Sequence, residues 1–422
     1  MSSGTIQVNE TPRLSLLLPL SLQHLFAMFG ATVLVPVLLG IDPATILLFN
    51  GIGTLIFLVI CQCKVPAYLG SSFAFISPSL LIIGAYGYSA ALCGYIASGV
   101  FFLFVGFIIH IFGTGWIRVL LPNALMGSVV TVIGLELAPT AAKLSGLSVE
   151  HPDLPVASIA LFTLLVTIMS MTIFRGIFRV IPILIGLISG TILSVLTGHF
   201  SPDLIEKASW LSIPTVYTPV WSLSAIIIIF PASLVVLIEL IGHFEVTGKI
   251  IGKDLFEDPG IPRMLYGKAI SSVLSGFFGS TPNTTYSENI GVMAITRVFS
   301  TVVFGGAAVC AILLSFCGKF TAAIRCIPDP VIGGISLLLF GVIAASGIRM
   351  LIDSHTDLSS PRNLALVSVI MIIGASGAAI DFGSLDIKGM SLATLVGIGL
   401  NLVFIVTSRF TPLNGGDEEK EV

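Results

Sequence analysis

The sequence predicts an all-α polytopic membrane protein with about 14 transmembrane segments. Of the 422 residues, 55% are hydrophobic and only 10% are charged, and the mean hydropathy is +1.07. A soluble domain carries about 25% charged residues, and a membrane-spanning helix needs about 20 apolar residues. Most of this chain consists of such apolar segments joined by short polar connections, so we expect it to be embedded in a lipid bilayer.

Hydropathy predicts where the individual segments lie. In chain order they cover residues 14–32, 43–61, 68–84, 88–112, 122–140, 155–174, 178–197, 223–246, 264–279, 284–296, 298–317, 330–348, 363–379 and 389–408. The third, ninth and tenth segments are shorter or more polar than the others. They are therefore the weakest candidates for straight transmembrane helices.

The distribution of Lys and Arg predicts the orientation of the chain. Fourteen of the 19 basic residues fall on one side of the predicted membrane, among them Lys268, and the remaining five fall on the other. Basic residues concentrate in cytoplasmic connections. We therefore expect both termini in the cytoplasm.

The two halves of the chain resemble each other weakly. Residues Ile117–Gly127 resemble Ile324–Gly333 with one gap, and Ser71–Ala74 resemble Thr284–Ser287. In each pair the second copy lies seven predicted segments after the first, and an odd number of crossings inverts it. We therefore expect two inverted 7-segment repeats, an architecture of secondary transporters in which substrate binds where matching helices break.

Segments three and ten are the matching breaks. Residues Ala67–Pro78 and Gly279–Gly291 are too short and too polar to cross the bilayer as continuous helices. Their hydroxyl residues suit extended backbone or a helix N-cap. We expect each to be extended backbone followed by a half-helix, which is tolerated at that depth only inside protein or beside a cavity. The half-helix N-termini would offer backbone N–H groups to a ligand.

Two glutamates are the leading candidates for function. Glu239 lies inside the apolar run 226–243, and Glu288 lies in segment ten. A carboxylate at membrane depth costs about 2.5–3.5 kcal/mol or more, so it usually faces a cavity and serves substrate or protons. His243 follows Glu239 by four residues on the same helix face and could share a proton with it. His24 in segment one is a weaker proton-coupling candidate, with an interhelical hydrogen bond as the alternative.

These residue types suit a flat ligand with N–H donors. Each carboxylate can accept one or two N–H bonds, backbone N–H groups can donate to ligand carbonyls, and Phe73 and Tyr286 can stack on a ring. The sequence contains no nucleophile–base arrangement, metal cluster or phosphate-binding loop. We therefore expect a transporter rather than an enzyme, with no cofactor, no metal and no ATP. The formal net charge of −3 argues against a nucleic-acid partner.

The stretch Glu288–Arg297 resembles the signature of the nucleobase–ascorbate transporter family, also called nucleobase:cation symporter family 2. That signature reads Glu, Gln or Pro, then Asn, any residue, Gly, four residues and Thr. Together with SLQHLFAMFGATVLVPVLLG at 21–40 and KVPAYLGSSFAFISPSLL at 64–81, it resembles the bacterial uracil permease branch. The similarity extends over nearly the whole chain.

The resemblance implies proton-coupled import of uracil across the bacterial inner membrane by alternating access. It implies a core domain from segments 1–4 and 8–11 (14–112 and 223–320) and a gate domain from segments 5–7 and 12–14 (113–222 and 321–410). It further implies short antiparallel strands in segments 3 and 10. We also expect a homodimer that associates through the gate domains.

The resemblance also assigns residues by position. Glu239 and Glu288 match glutamates that bind the uracil ring, Glu239 and His243 match groups of the proton coupling, and Phe73 matches a residue whose backbone N–H meets a uracil carbonyl. Ala31 and Tyr286 match residues at the pocket wall.

Two positions depart from the family pattern. Ser287 stands where a glycine usually precedes the signature glutamate, and its hydroxyl could narrow the pocket. Phe340 stands where close relatives have a tyrosine, so a hydroxyl and its hydrogen bond are missing. Both departures bear on which base is bound rather than on family membership.

Other functions remain open at this point. A purine, such as xanthine, or another nucleobase could replace uracil in the same fold, although Glu288 favours pyrimidines because purine carriers more often have Gln there. An inorganic-anion exchanger of the same seven-plus-seven architecture is a more distant alternative. Two acidic residues would repel an anion, and we expect no Lys or Arg near the broken helices on the cavity side. A channel would not need a protonatable pair.

Overall fold

Helices form most of the chain, and their bounds follow the segments predicted from hydropathy. A computed structural model describes residues 5–148, 153–179, 181–381, 386–408 and 410. The first four residues and residues 411–422 lie outside this range, so the predicted location of the two termini stays a prediction.

The regular elements are short and long helices with two small strand pairs. The α-helices are α1 Leu14–Ala27, α2 Phe29–Leu39, α3 Pro43–Ile60, α4 Ile76–Tyr86, α5 Tyr88–Phe112, α6 Gly115–Leu120, α7 Asn123–Leu144, α8 Leu154–Thr172, α9 Pro182–Leu196, α10 Asp203–Lys207, α11 Leu223–Ile251, α12 Ile261–Phe278, α13 Ser287–Thr296, α14 Thr301–Ser315, α15 Gly318–Arg325, α16 Asp329–Asp353, α17 Pro361–Ala375 and α18 Gly389–Ser408. The strands are β1 Leu69–Ser71, β2 Asn283–Thr285, β3 Ala379–Asp381 and β4 Asp386–Lys388.

Length and composition identify the helices that can cross a membrane. Among the described residues, seven helices meet both requirements, namely α3, α5, α7, α8, α11, α16 and α18. The pair α1 and α2 is an eighth candidate if it forms one span, although the two are bent by 42°. The chain is thus a multi-pass membrane protein, and the predicted total of about 14 spans stays a prediction.

The first segment extends beyond its predicted end and is bent. Hydropathy predicts one segment over 14–32, but the chain bends at Met28 and continues helically to Leu39. The apolar run gives no signal for the bend, since apolar residues continue on both sides of it. The bend places α2 against β1, close to the first broken helix.

Local capping sets the ends of several long helices. Asp42 caps α3 by accepting a hydrogen bond from the Ala44 N–H at 3.0 Å, and Pro43 occupies the first helical position. Ser222 caps α11 through its hydroxyl and the Ala225 N–H at 3.3 Å. Each cap satisfies a backbone donor that the helix leaves unpaired. Gly252 ends α11 with a left-handed φ of 70° that favours glycine.

Close helix pairs in the interior depend on small residues. In the pair α7–α16, a Cβ on Gly134 would collide with the Phe340 carbonyl, and a Cβ on Gly347 would collide with Thr131. In the pair α5–α12, a Cβ on Gly99 would collide with Val273. Helices in membranes associate mainly by such close backbone approach, because lipid is as apolar as their side chains.

Large apolar side chains cover much of the outer surface. Phe104, Leu165 and Leu196 are all more than half exposed. Exposed apolar patches of this extent are rare on soluble monomers. The exposed surface therefore suits contact with lipid, while the interior holds the buried polar residues described below.

The strand pair β1–β2 joins segments three and ten in the interior. The strands are antiparallel, with Leu69 opposite Thr285, Gly70 opposite Thr284 and Ser71 opposite Asn283. This pairing agrees with the short strands that the family resemblance implies. The other strand pair, β3–β4, is also antiparallel and precedes α18.

The packing beside the strand pair yields a stability prediction. A Cβ at Gly53 of α3 would collide with Ser271 of α12 and Asn283 of β2. We expect Gly53→Ala to destabilise the protein by about 1–3 kcal/mol, because the space that the added methyl group needs is already occupied by these two side chains. Thermal unfolding of the purified protein in detergent measures this loss.

Gly84→Ala is the matched control for this prediction. A Cβ at Gly84 in α4 meets nothing within 4 Å, and alanine suits a helix better than glycine by roughly 0.5–1 kcal/mol. Equal unfolding temperatures for the two variants would contradict the proposed close contact.

Candidate functional site

The broken helices begin at the β1–β2 pair. After β1, the turn Phe73–Phe75 leads into α4, and after β2 the chain enters α13 within two residues. Because the strands are antiparallel, the two half-helices leave from opposite ends of the ladder. The predicted pattern of extended backbone followed by a half-helix is confirmed in both segments.

Side chains of neighbouring helices hold the strand pair in place. The Leu69 N–H donates to the Thr54 hydroxyl of α3 at 2.9 Å. The Asn283 side-chain amide donates to the Phe49 carbonyl at 3.2 Å and to the Ser271 hydroxyl of α12 at 2.8 Å. These bonds satisfy buried polar groups, for which water is not available as a hydrogen-bond partner at membrane depth.

Tyr286 links the two broken helices directly. Its hydroxyl donates to the Ser71 carbonyl at the end of β1. Its ring lies over Gly70, where a Cβ would collide with both Tyr286 and Met28. A glycine at this position in β1 therefore allows the aromatic ring to pack against the strand.

The two glutamates lie on neighbouring elements beside the strand pair. Glu239 is on α11 and Glu288 is in the first turn of α13, and both are only partly buried. These two elements pack against each other. Glu288 accepts a hydrogen bond from the Ser287 hydroxyl at 3.3 Å, whereas Glu239 accepts none from the described residues. Like charges at short range repel, so a ligand or proton that neutralises one carboxylate relieves the repulsion.

The histidines connect the site to the strand pair and to α1. His243 lies one turn after Glu239, and its Nδ1 is 2.9 Å from the Thr285 hydroxyl of β2. Within the described residues no hydrogen bond joins His243 to Glu239. His24 is buried, and its Nδ1 is 3.2 Å from the Asn289 side-chain oxygen. The interhelical hydrogen bond expected as the alternative for His24 is therefore present.

Aromatic rings line one side of the strand pair. Phe73 meets Tyr286 edge-on, with ring centroids 6.5 Å apart, and meets Phe340 of α16 edge-on at 6.4 Å. Phe73 is partly buried, whereas Tyr286 and Phe340 are buried. Ala31 is buried on α2, which packs against β1. Edge-on packing of this kind stabilises aromatic pairs.

The predicted site residues therefore fall into two groups. The residues of the first group have exposed or partly exposed side chains near the strand pair, and they are Phe73, Glu239, His243, Ser287 and Glu288. The residues of the second group are buried, and they are His24, Ala31, Tyr286 and Phe340.

Lys268 is a residue that the sequence misplaces. The charge distribution assigns it to the cytoplasmic connections, but it lies inside α12 and is fully buried. Its Nζ is 3.1 Å from the Phe102 ring centroid. The expectation of no Lys or Arg near the broken helices on the cavity side stays a prediction. The predicted segment begins at residue 264, so Lys268 stands only four residues inside it and reads as part of a basic flank.

Glu136 forms a second polar link that the sequence does not reveal. This residue of α7 accepts hydrogen bonds from the Ser77 hydroxyl of α4 at 2.6 Å and from the Met390 N–H at the start of α18 at 3.1 Å. A carboxylate at a helix N-terminus is favourable because the helix dipole is positive there. Glu136 thus ties the first broken helix to two other helices.

The fold and the site together define a membrane transporter of the broken-helix class. Half-helices that meet inside a multi-pass protein are typical of secondary transporters. The family model described as "Permease family" (Xan_ur_permease) matches residues 16–382. The chain therefore belongs to this family, and the family resemblance inferred from the signature is confirmed.

Named relatives cover nearly the whole chain. "Uracil permease" of Escherichia coli (strain K12) is 56% identical over 415 residues, which are 98% of this chain and 96% of that protein. "Uracil permease" of Paenibacillus larvae subsp. larvae is 51% identical over 415 residues, covering 97% and 99% of the two chains.

A solved structure shows the same fold at low sequence identity. The murine Solute Carrier 26 family member A9 anion transporter, in its inward-facing state, superposes with a TM-score of 0.73. The match covers 95% of this chain and 69% of the other at 11% identity. The likeness concerns the fold alone.

The bond between Tyr286 and Ser71 yields a prediction. Tyr286→Phe keeps the ring but leaves the buried Ser71 carbonyl without its donor, which costs about 1–3 kcal/mol. We expect a lower unfolding temperature, measured on the purified protein in detergent.

Tyr266→Phe serves as the control. The Tyr266 hydroxyl makes no hydrogen bond to the part of the chain that the structure describes, and its ring lies beside Gly106 of α5. A parent-like unfolding temperature for Tyr286→Phe would show that this bond contributes nothing.

Proposed function

We propose that this protein is a proton-coupled uracil symporter that imports uracil across the bacterial inner membrane. The observation that carries the proposal is the pair Glu239 and Glu288, partly accessible beside two broken helices. The two relatives named uracil permease, more than half identical over nearly the whole chain, support uracil as the cargo.

The site suits the chemistry of uracil. The ring carries two N–H donors and two carbonyl acceptors, and it is neutral and flat. Glu239 and Glu288 can accept from the N–H groups, and the backbone N–H of Phe73, at the start of a half-helix, can donate to a carbonyl. Phe73 can contact the ring face, with Tyr286 and Phe340 behind it. Ser287 and Ala31 complete the expected pocket wall. The proposed transport forms and breaks no covalent bond of the uracil.

A proton can bind at the same site, on either glutamate. A protonated glutamate can donate a hydrogen bond, whereas an ionised one can only accept. Binding of a neutral ring therefore depends on which carboxylate carries a proton, and this couples the two cargoes. Glu239 and Glu288 are the proposed proton carriers, with His243 and His24 as neighbours that respond to the charge.

The transport cycle follows from the proposed division into two domains. We assign residues 14–112 and 223–320 to a core and residues 113–222 and 321–410 to a gate, as inverted 7-segment repeats with 14 spans and cytoplasmic termini. The hydrogen bond from Ser77 to Glu136 crosses this boundary, so it must break if the core moves against the gate. A homodimer through the gate domains would hold the gate still.

A different base in the same site is the main alternative. Ser287 places a hydroxyl beside Glu288, and Phe340 lacks the hydroxyl of a tyrosine, so xanthine or another nucleobase is a competing cargo. An anion is a weaker alternative. Its support is a fold likeness at 11% identity, and two carboxylates would repel it.

Uptake into proteoliposomes tests the proposal. With an inward proton gradient, we expect radiolabelled uracil to accumulate and a protonophore to abolish the accumulation. Glu239→Gln and Glu288→Gln should each lower uptake by roughly 10- to 100-fold, since each removes a charged acceptor worth about 1.5–3 kcal/mol.

Glu245→Gln is the matched control, because Glu245 lies on the same helix but is exposed and paired with Lys249 at 2.7 Å. Parent-like uptake by both site variants would refute the assigned roles. Stronger competition by unlabelled xanthine than by unlabelled uracil would instead select the alternative cargo.

A further inference from the structure

A long extended segment connects α10 to α11. It covers residues 209–222, all of which the structure describes, and we name it the strap. The strap forms no helix, and the sequence from Ala208 to Ser222 carries no charged side chain. Connections longer than about 12 residues without secondary structure of their own are uncommon and are usually functional. A role beyond joining two helices is therefore expected for the strap.

Backbone hydrogen bonds fasten the two ends of the strap to neighbouring elements. Near its start, the Ser212 N–H donates to the Phe316 carbonyl, just after α14, at 3.0 Å. Near its end, the Val220 N–H donates to the Ser89 carbonyl of α5 at 2.9 Å. These bonds hold the main chain at both ends without using any of the strap's large side chains.

The middle of the strap is fastened by side chains as well. The Thr215 N–H and hydroxyl donate to the Asp42 carboxylate, which caps α3, at 3.1 and 2.8 Å. The Tyr217 hydroxyl accepts from the Asp42 N–H at 3.1 Å, and the Tyr217 N–H donates to the Phe278 carbonyl at the end of α12 at 3.3 Å. The strap is therefore held along its length, and its path over the protein is fixed.

The strap crosses the ends of five neighbouring helices. It contacts the end of α14, the start of α3, the end of α12 and the start of α5, and it leads directly into α11. In the same order, α14 packs on α3, α3 on α12, α12 on α5, and α5 on α11. These helices form a row, and the strap runs along one edge of that row.

The large apolar side chains of the strap are exposed. Ile213 has 88% of its surface exposed, although the backbone on both sides of it is hydrogen-bonded. The others, each more than half exposed, are Trp210, Leu211, Val216, Val220 and Trp221. So many exposed apolar side chains in one fixed segment indicate a surface that contacts a membrane or another molecule.

The apolar surface of the helix row continues into the strap. Leu313 in the last turn of α14, Phe277 at the end of α12 and Leu223 at the start of α11 are all exposed. Each lies within one turn of the helix end that the strap contacts. The strap therefore lies at the level where a lipid-facing surface ends. Tryptophan is enriched at that level, because its ring is apolar and its N–H is polar.

We propose that the strap is an interfacial anchor, whose exposed side chains contact phospholipid at the level of the headgroups. Trp210 and Trp221, at its two ends, are the main contacts. Phospholipid is the partner because the exposed side chains extend the lipid-facing surface of the helices below them. The hydrogen-bond partners of the strap all lie in the ranges proposed for the core, although residues 209–222 fall in a range proposed for the gate. The anchor therefore acts on the core.

Tryptophan fluorescence of the protein in lipid nanodiscs tests the anchor. The chain contains three tryptophans, Trp116, Trp210 and Trp221, so Trp116→Phe leaves the emission of the strap alone. Phospholipid brominated near the headgroup end of its acyl chains should quench this emission by roughly half, because an interfacial tryptophan lies in reach of those bromine atoms. Lipid brominated near the chain ends and aqueous iodide should each quench it less.

The matched second protein combines Trp210→Phe with Trp221→Phe, so that its emission comes from Trp116. Its difference from the parent gives the emission of the strap even if Trp116→Phe cannot be recovered folded. Both strap rings are mostly exposed, so these two substitutions remove little packing. Adding Asp203→Trp to this variant gives a water-facing reference on the exposed, charged helix α10, whose added emission iodide should quench and brominated lipid should not.

Other quenching patterns would overturn the anchor. Strong quenching of the strap by iodide, with none by brominated lipid, would place it in water. Protection from both quenchers would place it against protein, such as a second copy of this chain. Strongest quenching by lipid brominated near the chain ends would place it within the hydrocarbon.

Discussion

The rest of the structure depends on the pairing of two three-residue strands inside a membrane protein. Backbone N–H and C=O groups at that depth must find partners within the protein, and an interrupted helix leaves several of them free. The β1–β2 ladder satisfies these groups for both broken helices at once. Thr54, Asn283 and Tyr286 then fix the ladder to its neighbours. Two helix N-termini and their first-turn side chains are thereby held beside one strand pair.

The second constraint is the cost of charged side chains in an apolar interior. It depends on the first, because the strand pair fixes where the two glutamates lie. Glu288 stands in the first turn of α13 because β2 ends three residues earlier. Glu239 reaches the same place from α11, whose next turn carries His243, bonded to Thr285 of β2. Two carboxylates this close are unfavourable unless a proton, a ligand or a cation neutralises part of the charge.

The sequence predicts many of the helices well, because apolar segments follow from the cost of placing polar groups in a bilayer, and the same cost singles out the two glutamates as candidates. The bounds of α5 and α18 agree with the predicted segments to the residue. Three features escape prediction because they depend on contacts across the chain. The bend at Met28 has no local signal, the partner of His243 is 42 residues away, and Lys268 stands close enough to the start of its segment to resemble a cytoplasmic residue.

The most direct test of the central claim is an experimental structure of the purified protein with uracil bound. The account predicts uracil beside the strand pair, within hydrogen-bonding distance of the Glu239 and Glu288 carboxylates, and with a carbonyl at the backbone N–H of Phe73. Uracil bound away from both glutamates, with the β1–β2 pair unoccupied, would contradict the account.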